Sequence, residues 1–276
     1  MDASLPDAAY DRYGRAYQRW MAPIVAPSAM RLLDRLDGRM RPDAAAEVLD
    51  IGTGTGTLAL AALERWPGAV VTGIDPSQLM LQLAAEAART RGTGVAERLR
   101  LATGGAEDLP VADATADVVL SSFVIQLVPS RAAALRELLR VLRPGGTAAV
   151  LTWQQDDEPF EPEDLVQSAL DELEIDVPPD GGDARPYTSP ASAAAEFRRI
   201  GFRDVQASLE WLEHQFTPAS YLDVVEHWTH DDLLAGLDAP IRAEVRSRVL
   251  DKLERLEPDA LWWRRPLVSV VARRPR

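Results

Sequence analysis

The run VLDIGTGTG, Val48 to Gly56, sets three glycines two residues apart directly after an apolar stretch and an aspartate. It belongs to a longer unit in which AEVLDIG, a short β-type run, gives way to TLALAALERW at helical spacing. The unit then recurs. AVVTGID leads into SQLMLQLAAEAART, which sets Leu79, Leu83 and Ala87 on one helical face. ADVVLSS leads into SRAAALRELLRVLRPGG, where Leu135, Leu138, Leu139 and Leu142 form an i, i+3, i+4, i+7 stripe. Ser130 stands there as N-cap, and Pro144-Gly145-Gly146 ends the helix. RLRLATGG and GTAAVLTW bring the strands to five by Trp153, and RDVQASLEWLEHQF and RPLVSVVARR add two more. Strands alternating with helices need a parallel sheet covered on both faces. The expectation is an α/β fold with a doubly wound, mostly parallel, seven-stranded Rossmann-like sheet carrying helical cap elements.

The rhythm breaks at Gln154, where QQDDEPFEPEDLVQSALDELEIDVPPDGGDARPYTSP is acidic and rich in Pro and Gly, with a short amphipathic helix around Leu165 to Leu173. This divides the chain into an N-terminal helical lid (1–45), a ligand-binding core (46–153), a cap insertion (154–190) and a return to the core (191–276). The last part holds a helical insertion at about 217–262, opened by the cap pair Thr217-Pro218. A stripe of Ile241, Val245, Val249, Leu253 and Leu256 marks a second helix within that insertion.

Composition narrows the partners. With 276 residues, 46% hydrophobic, the chain can bury a sizeable core, and its net charge of -13 repels a phosphate backbone. Nucleic acid is therefore not expected; Arg264-Arg265 and Arg273-Arg274 are short and read as a solvated end. There is no cysteine, hence no disulfide, thiolate metal site or cysteine nucleophile, and no metal site is expected. MDASLPDAAY lacks the apolar core of a secretion signal, and no apolar run approaches the length of a membrane span. A cytoplasmic protein without a membrane partner is the expectation, and a homodimer is left open.

What can the glycine loop hold? A P-loop requires G-x-x-x-x-G-K-[ST], and no lysine follows here. A dinucleotide site requires G-x-G-x-x-G, whereas Gly52, Gly54 and Gly56 read G-x-G-x-G. Asp50, two residues before the first glycine, would work against a pyrophosphate and suits a cationic end instead. Asp75, at the end of the second strand, is placed to accept from ribose hydroxyls. A ribose, a cationic end and no phosphate describe S-adenosylmethionine.

At this point the chain resembles the class I S-adenosylmethionine-dependent methyltransferases, in particular the small-molecule branch of ubiquinone and menaquinone biosynthesis. VLDIGTGTG, GIDPSQLM, GGAEDLPVADATADVVLSSFVIQLV and LRVLRPGGTAAVLTW match four family motifs in order, over about residues 10–153. The resemblance implies that Gly52, Thr53 and Gly54 contact the methionine part, with Asp50 as partner of its amino group. It places Asp75 and Pro76 at the ribose, Leu79 or Met80 against the adenine, and Ala106 and Glu107 along the adenine edge. Ser121 and Ser122 would face the reacting end. Gly104-Gly105-Ala106 departs from the family's Gly-Asp-Ala, which leaves Asp108 or water to meet the adenine amino group. YDRYGRAYQRW resembles the family's opening helix; Tyr10, Tyr13 and Tyr17 form either an aromatic lid or core packing.

Methyl transfer to O, N or C of an acceptor needs positioning and water exclusion, and a base only where the acceptor must lose a proton. His214 and His227 are the candidate bases among three histidines that otherwise read as element ends. Gln126 stands where relatives carry histidine and could orient an acceptor. Trp153, Trp211 and Trp228, with Trp262 and Trp263, suggest an apolar cavity for a small hydrophobic or aromatic metabolite, quinone-like or of secondary metabolism. Two rivals stand beside this reading: a same-fold protein that binds the cofactor without transferring its methyl group, such as a cyclase-like enzyme, and a nicotinamide-dependent oxidoreductase.

Overall fold

A computed structural model describes residues 13–39, 45–177 and 184–276. Its strands are β1 (Glu47–Ile51), β2 (Val70–Asp75), β3 (Leu99–Thr103), β4 (Ala116–Ser122), β5 (Leu142–Trp153), β6 (Arg203–Gln215) and β7 (Trp262–Arg273). They form one sheet in the order β3-β2-β1-β4-β5-β7-β6. The first five are parallel, and β7 runs antiparallel to both β5 and β6. The α/β, Rossmann-like expectation therefore holds, with a mixed rather than purely parallel sheet.

The central strands are buried on both faces, which is why they read as unbroken apolar runs. Val48, Leu49 and Ile51 of β1 and Val118, Val119 and Leu120 of β4 are all buried. Two apolar layers flank the sheet. One packs α1 (Ala22–Asp34) and α2 (Thr57–Arg65) around Leu32, Leu60 and Trp66. The other includes Phe197 and Phe202 on either side of Gly201, their rings tilted at 45° with centroids 5.2 Å apart.

The helices α3 (Gln78–Thr90), α4 (Thr93–Ala96) and α5 (Arg131–Val141) connect the parallel strands. Ser77 and Ser130 cap α3 and α5, accepting from Met80 N and Ala133 N. On α3 the buried stripe is Met80, Leu83, Ala84 and Ala88, one residue along from the expected Leu79, Leu83 and Ala87. The difference has a local cause: Leu79 lies under Gly14 of the N-terminal segment, so that face is covered by chain instead of sheet. On α5, Ala134, Leu135, Leu138 and Val141 are buried, while Leu142 already opens β5.

After β5 come α6 (Glu161–Asp171), α7 (Pro190–Ile200), α8 (Pro218–Val224), α9 (Asp231–Ala235) and α10 (Ala239–Leu253). Thr217 and Ser220 form a reciprocal capping box at the start of α8. On α10, Val245, Val249 and Leu253 are buried but Ile241 is 43% exposed, so the expected stripe loses its first member.

The arginine pairs are not a solvated end. Arg274 Nη1 donates to Arg140 O (2.8 Å) and Leu139 O (3.2 Å), satisfying carbonyls at the C-terminus of α5. Arg265 pairs with Asp156 (3.3 Å), and Arg264 lies 3.8 Å over the Trp211 ring. Among the described residues no helix is long and apolar enough to cross a membrane.

Candidate active site

In a doubly wound sheet a crevice opens where neighbouring strands send their connections to opposite sides. Here that point lies between β1 and β4, and a cavity of about 390 Å³ sits there. The glycine loop forms one end. Gly52 N and Thr53 N both donate to Ile74 O (2.8 and 3.0 Å), Gly54 N donates to Asp75 Oδ2 (2.8 Å), and Gly56 N to Thr53 O (2.9 Å). These amides are taken up by the end of β2 and by the loop itself, so they do not form the inward-pointing cluster that cradles a phosphate.

The first two glycines serve different ends. At Gly52 (φ +68°) an added Cβ would lie 2.1 Å from a Val124 methyl, so close packing requires the missing side chain. At Gly54 (φ +53°) a Cβ would meet nothing within 4 Å, because that face opens into the cavity.

Asp75 closes β2 at the cavity wall, its Oδ1 accepting from Ser77 N (3.0 Å) while Oδ2 holds Gly54. Pro76, Met80, Gly104, Gly105, Ala106 and Glu107 continue the wall from there. Glu107 also accepts from Ser130 N (2.6 Å), tying this loop to the start of α5. Behind it, Glu137 accepts from Leu109 N (2.9 Å), and Arg140 reaches the carbonyls of Leu109 (3.1 Å) and Val111 (2.8 Å). The Arg140 hydrogen bond holds the Glu137 carboxyl below its usual range. Asp108 is exposed and off the cavity wall, so the backbone of Gly105 and Ala106 presents the edge expected to face an adenine.

The other end is aromatic. Tyr17, Met21, Trp153 and Trp228 line it with Phe123 and Val124. Tyr17 and Trp228 sit on two π-helical turns, Tyr17–Met21 and Val225–Thr229, and their rings meet at 5.5 Å. A π turn shifts side chains off the regular helical face and is often found at functional sites. Phe123, directly after β4, has φ +60° and tilts its ring against Trp153 at 5.0 Å.

Gln126 is buried and fully engaged. Its Nε2 donates to Phe123 O (2.7 Å), its Oε1 accepts from Thr152 Oγ1 (2.5 Å), and its backbone carbonyl accepts from Arg185 N (2.7 Å). It touches the cavity, but its amide holds the loop after β4 instead of waiting for a ligand.

Several residues singled out from sequence do not line this cavity. Asp50 is buried beneath the loop, accepting from Thr53 Oγ1 (2.8 Å), which turns Thr53 inward as well. Burial pushes the Asp50 carboxyl from 3.8 up to about 7, against the pull of the Thr53 and Ala59 hydrogen bonds and with a small addition from Asp75. Ser121 donates inward to Ile51 O (3.1 Å), while its neighbour Ser122 reaches the cavity. His214 lies on β6 with its ring 4.5 Å from Phe216, and burial lowers its pKa. His227 is exposed and stacked on Trp20 at 5.2 Å. Trp211, on β6, is covered by Arg264 of β7. Neither histidine is among the described residues that line this cavity. Tyr13 stands behind the wall, edge-on to Trp228 at 6.5 Å and bonded to Asp232, and Tyr10 lies outside the described residues.

Asp223, Glu226 and His227 bring three ligand-type atoms within 4.8 Å of one another. Arg246 already pairs with Glu226, so this cluster reads as a surface ion pair. Sequence reasoning missed Phe123, Val124 and Met21. Only their place, just past β4 or beside Tyr17, could have flagged them.

The residues present fit S-adenosylmethionine on the structure's own terms. The loop offers an open glycine face without a phosphate nest, an acid stands at the end of β2, and an apolar wall with backbone edges follows. The fold and this site resemble those of class I, S-adenosylmethionine-dependent methyltransferases. Residues 49–150 match the family described as "Methyltransferase domain". The chain is similar to the ubiquinone/menaquinone biosynthesis C-methyltransferase UbiE of Geotalea daltonii, 37% identical over 105 residues, or 38% of this chain and 44% of that protein. It is likewise similar to the demethylmenaquinone methyltransferase of Lactiplantibacillus plantarum, 41% identical over 117 residues, or 42% and 48% of the two chains. The chain thus spans about half the length of the curated relatives it matches. The fold is shared with phosphoethanolamine N-methyltransferase 2 of Haemonchus contortus, solved with S-adenosyl-L-methionine. That match has a TM-score of 0.59 at 18% identity and covers 100% of this chain and 60% of that one.

Proposed function

We propose that this chain transfers a methyl group from S-adenosylmethionine to O, N or C of a small hydrophobic or aromatic metabolite. A quinone-like compound or a product of secondary metabolism would suit it. One observation carries the reading: a single cavity joins the glycine loop and Asp75 at one end to a wall of Tyr17, Phe123, Trp153 and Trp228 at the other. When bound, the cofactor supplies a sulfonium methyl that is already activated.

Gly52 and Gly54 would admit its methionine part, Asp75 would accept from the ribose, and Met80, Gly105, Ala106 and Glu107 would flank the adenine. Ser122 lines the same cavity. Among the described lining residues there is no histidine, so the protein's contribution is to bind, to orient and to exclude water around the acceptor. Segments 1–45 and 154–190 are proposed as lid and cap, nucleic acid is not a proposed partner at a net charge of -13, and a cytoplasmic location is part of the same reading.

Calorimetry with S-adenosylmethionine and NAD tests the cofactor; binding of NAD alone would sink the proposal. A radiolabelled methyl-transfer screen against phenols, quinols and amines then separates transfer from mere binding. Tight cofactor binding with no labelled product from any acceptor favours the non-methylating rival.

A further inference from the structure

We propose that Phe123 determines acceptor specificity, and that the aromatic end it helps to build takes a neutral planar ring and rejects the same ring carrying a phosphate. The proposal rests on the methyltransferase reading and names the acceptor class within it. It starts from an outlier. Phe123 has φ +60°, in the left-handed region that a bulky side chain rarely adopts.

The surrounding bonds impose this conformation from both sides. Phe123 N donates to Leu151 O (2.8 Å), and Phe123 O accepts from Gln126 Nε2 (2.7 Å). Gln126 is itself fixed by Thr152 Oγ1 at 2.5 Å, with Thr152 fully buried in β5. Strain of this kind persists only where neighbours over-determine it, and it clusters at ligand sites.

The conformation sets the Phe123 ring at the cavity wall beside Trp153, which in turn meets Trp263 at 6.0 Å. The rings of Tyr17 and Trp228 line the same cavity, so aromatic side chains from the N-terminal segment, the β4 and β5 ends and the C-terminal insertion share one wall. Such rings favour a planar partner in offset or edge-on contact.

Charge excludes the anionic version. The lining includes the carboxyl groups of Asp75 and Glu107, and among the described residues no Lys, Arg or His joins them. A phosphate buried there would lose its water and meet no cationic side chain among the described lining residues.

Calorimetry on the full chain, with and without S-adenosylhomocysteine, tests this using 2-naphthol and 2-naphthyl phosphate as probes. 2-Naphthol is expected to bind at least tenfold more tightly than 2-naphthyl phosphate, a modest ratio for an unpaired buried charge. Phe123→Gly and Phe123→Asn both accept a left-handed backbone. Each is expected to weaken 2-naphthol by about tenfold while leaving S-adenosylhomocysteine affinity within about twofold. Their melting temperatures should stay within about 5 °C of the parent, because lost ring contact and relieved strain oppose each other.

Equal or tighter binding of the phosphate, no binding of 2-naphthol, or unchanged 2-naphthol affinity in both variants would overturn the proposal. So would a joint loss of cofactor affinity and a larger fall in melting temperature, which would make the ring a structural prop. Failure of the parent protein to bind S-adenosylhomocysteine would instead sink the methyltransferase reading, and the naphthol arms without it would still decide the role of Phe123.

Discussion

Asp50 shows how a residue can be legible in type and not in task. A carboxylate before the first glycine is visible in the sequence, yet burial turns it under the loop, where it bonds Thr53 and carries a pKa of about 7. Raised above its usual 3.8, it makes the folded state hold a proton more tightly than the unfolded chain. Its stabilising contribution is fully present below about pH 4 and is lost as pH rises through about 7. Asp50→Asn should flatten this part of the stability profile, up to about 4 kcal/mol between pH 4 and 8. Parallel urea titrations of parent and variant at several pH values would measure the difference. The glycines make a sharper pair. Gly52→Ala drives a Cβ into Val124 and should cost about 2–3 kcal/mol of stability. Gly54→Ala meets no atom, so it should cost only about 1 kcal/mol while lowering S-adenosylmethionine affinity by at least about tenfold. Urea melts and calorimetry on the two variants test both halves of that contrast. Spacing alone could not separate these glycines, because the difference lies in what stands opposite each one.

At the scale of elements, the parallel strands were the most legible part, since a strand buried on both faces must be apolar throughout. Helix caps were equally readable: Ser130 and Thr217 both accept as their residue type predicts. Helical faces were less so. Leu79 and Ile241 fell out of their stripes because burial there depends on which distant segment arrives, as Gly14 does over Leu79. Tyr17, Trp153 and Trp228 stood out by residue type, but the π turns that carry Tyr17 and Trp228 leave no compositional trace, and Phe123 was not singled out. α5 also acts as a brace for the loop at 104–113. Arg140 binds two of that loop's carbonyls and pairs with Asp113 (2.7 Å) and Glu137 (2.6 Å). Arg140→Met keeps the aliphatic stem and removes these bonds. It should destabilise the protein by about 2 kcal/mol and weaken cofactor binding several-fold, in chemical denaturation and calorimetry respectively.

On the scale of the whole molecule, the cavity draws walls from segments far apart in sequence: Tyr17 near the start, the β1, β2 and β4 ends in the middle, and Trp228 late. The glycine-loop end of the cavity was legible because its motif is local; the opposite end is assembled from parts no single stretch contains. The arginines misread as a solvated end make the same point, since Arg274 caps a helix more than 130 residues earlier. The position of β7 between β5 and β6 carries a further consequence for how the chain is made. Until Trp262–Arg273 emerges from the ribosome, β5 has an open edge and β6 has no partner at all. At roughly 5–20 residues per second, synthesis leaves both strands exposed for several seconds after Gln215. Open edges are templates for pairing with other chains. A chain cut before Trp262 should therefore partition into the pellet on expression, while one cut after Arg274 should remain in the supernatant. Nascent protein should also be sensitive to the supply of chaperones during that interval, a vulnerability that disappears once the last strand slides into place.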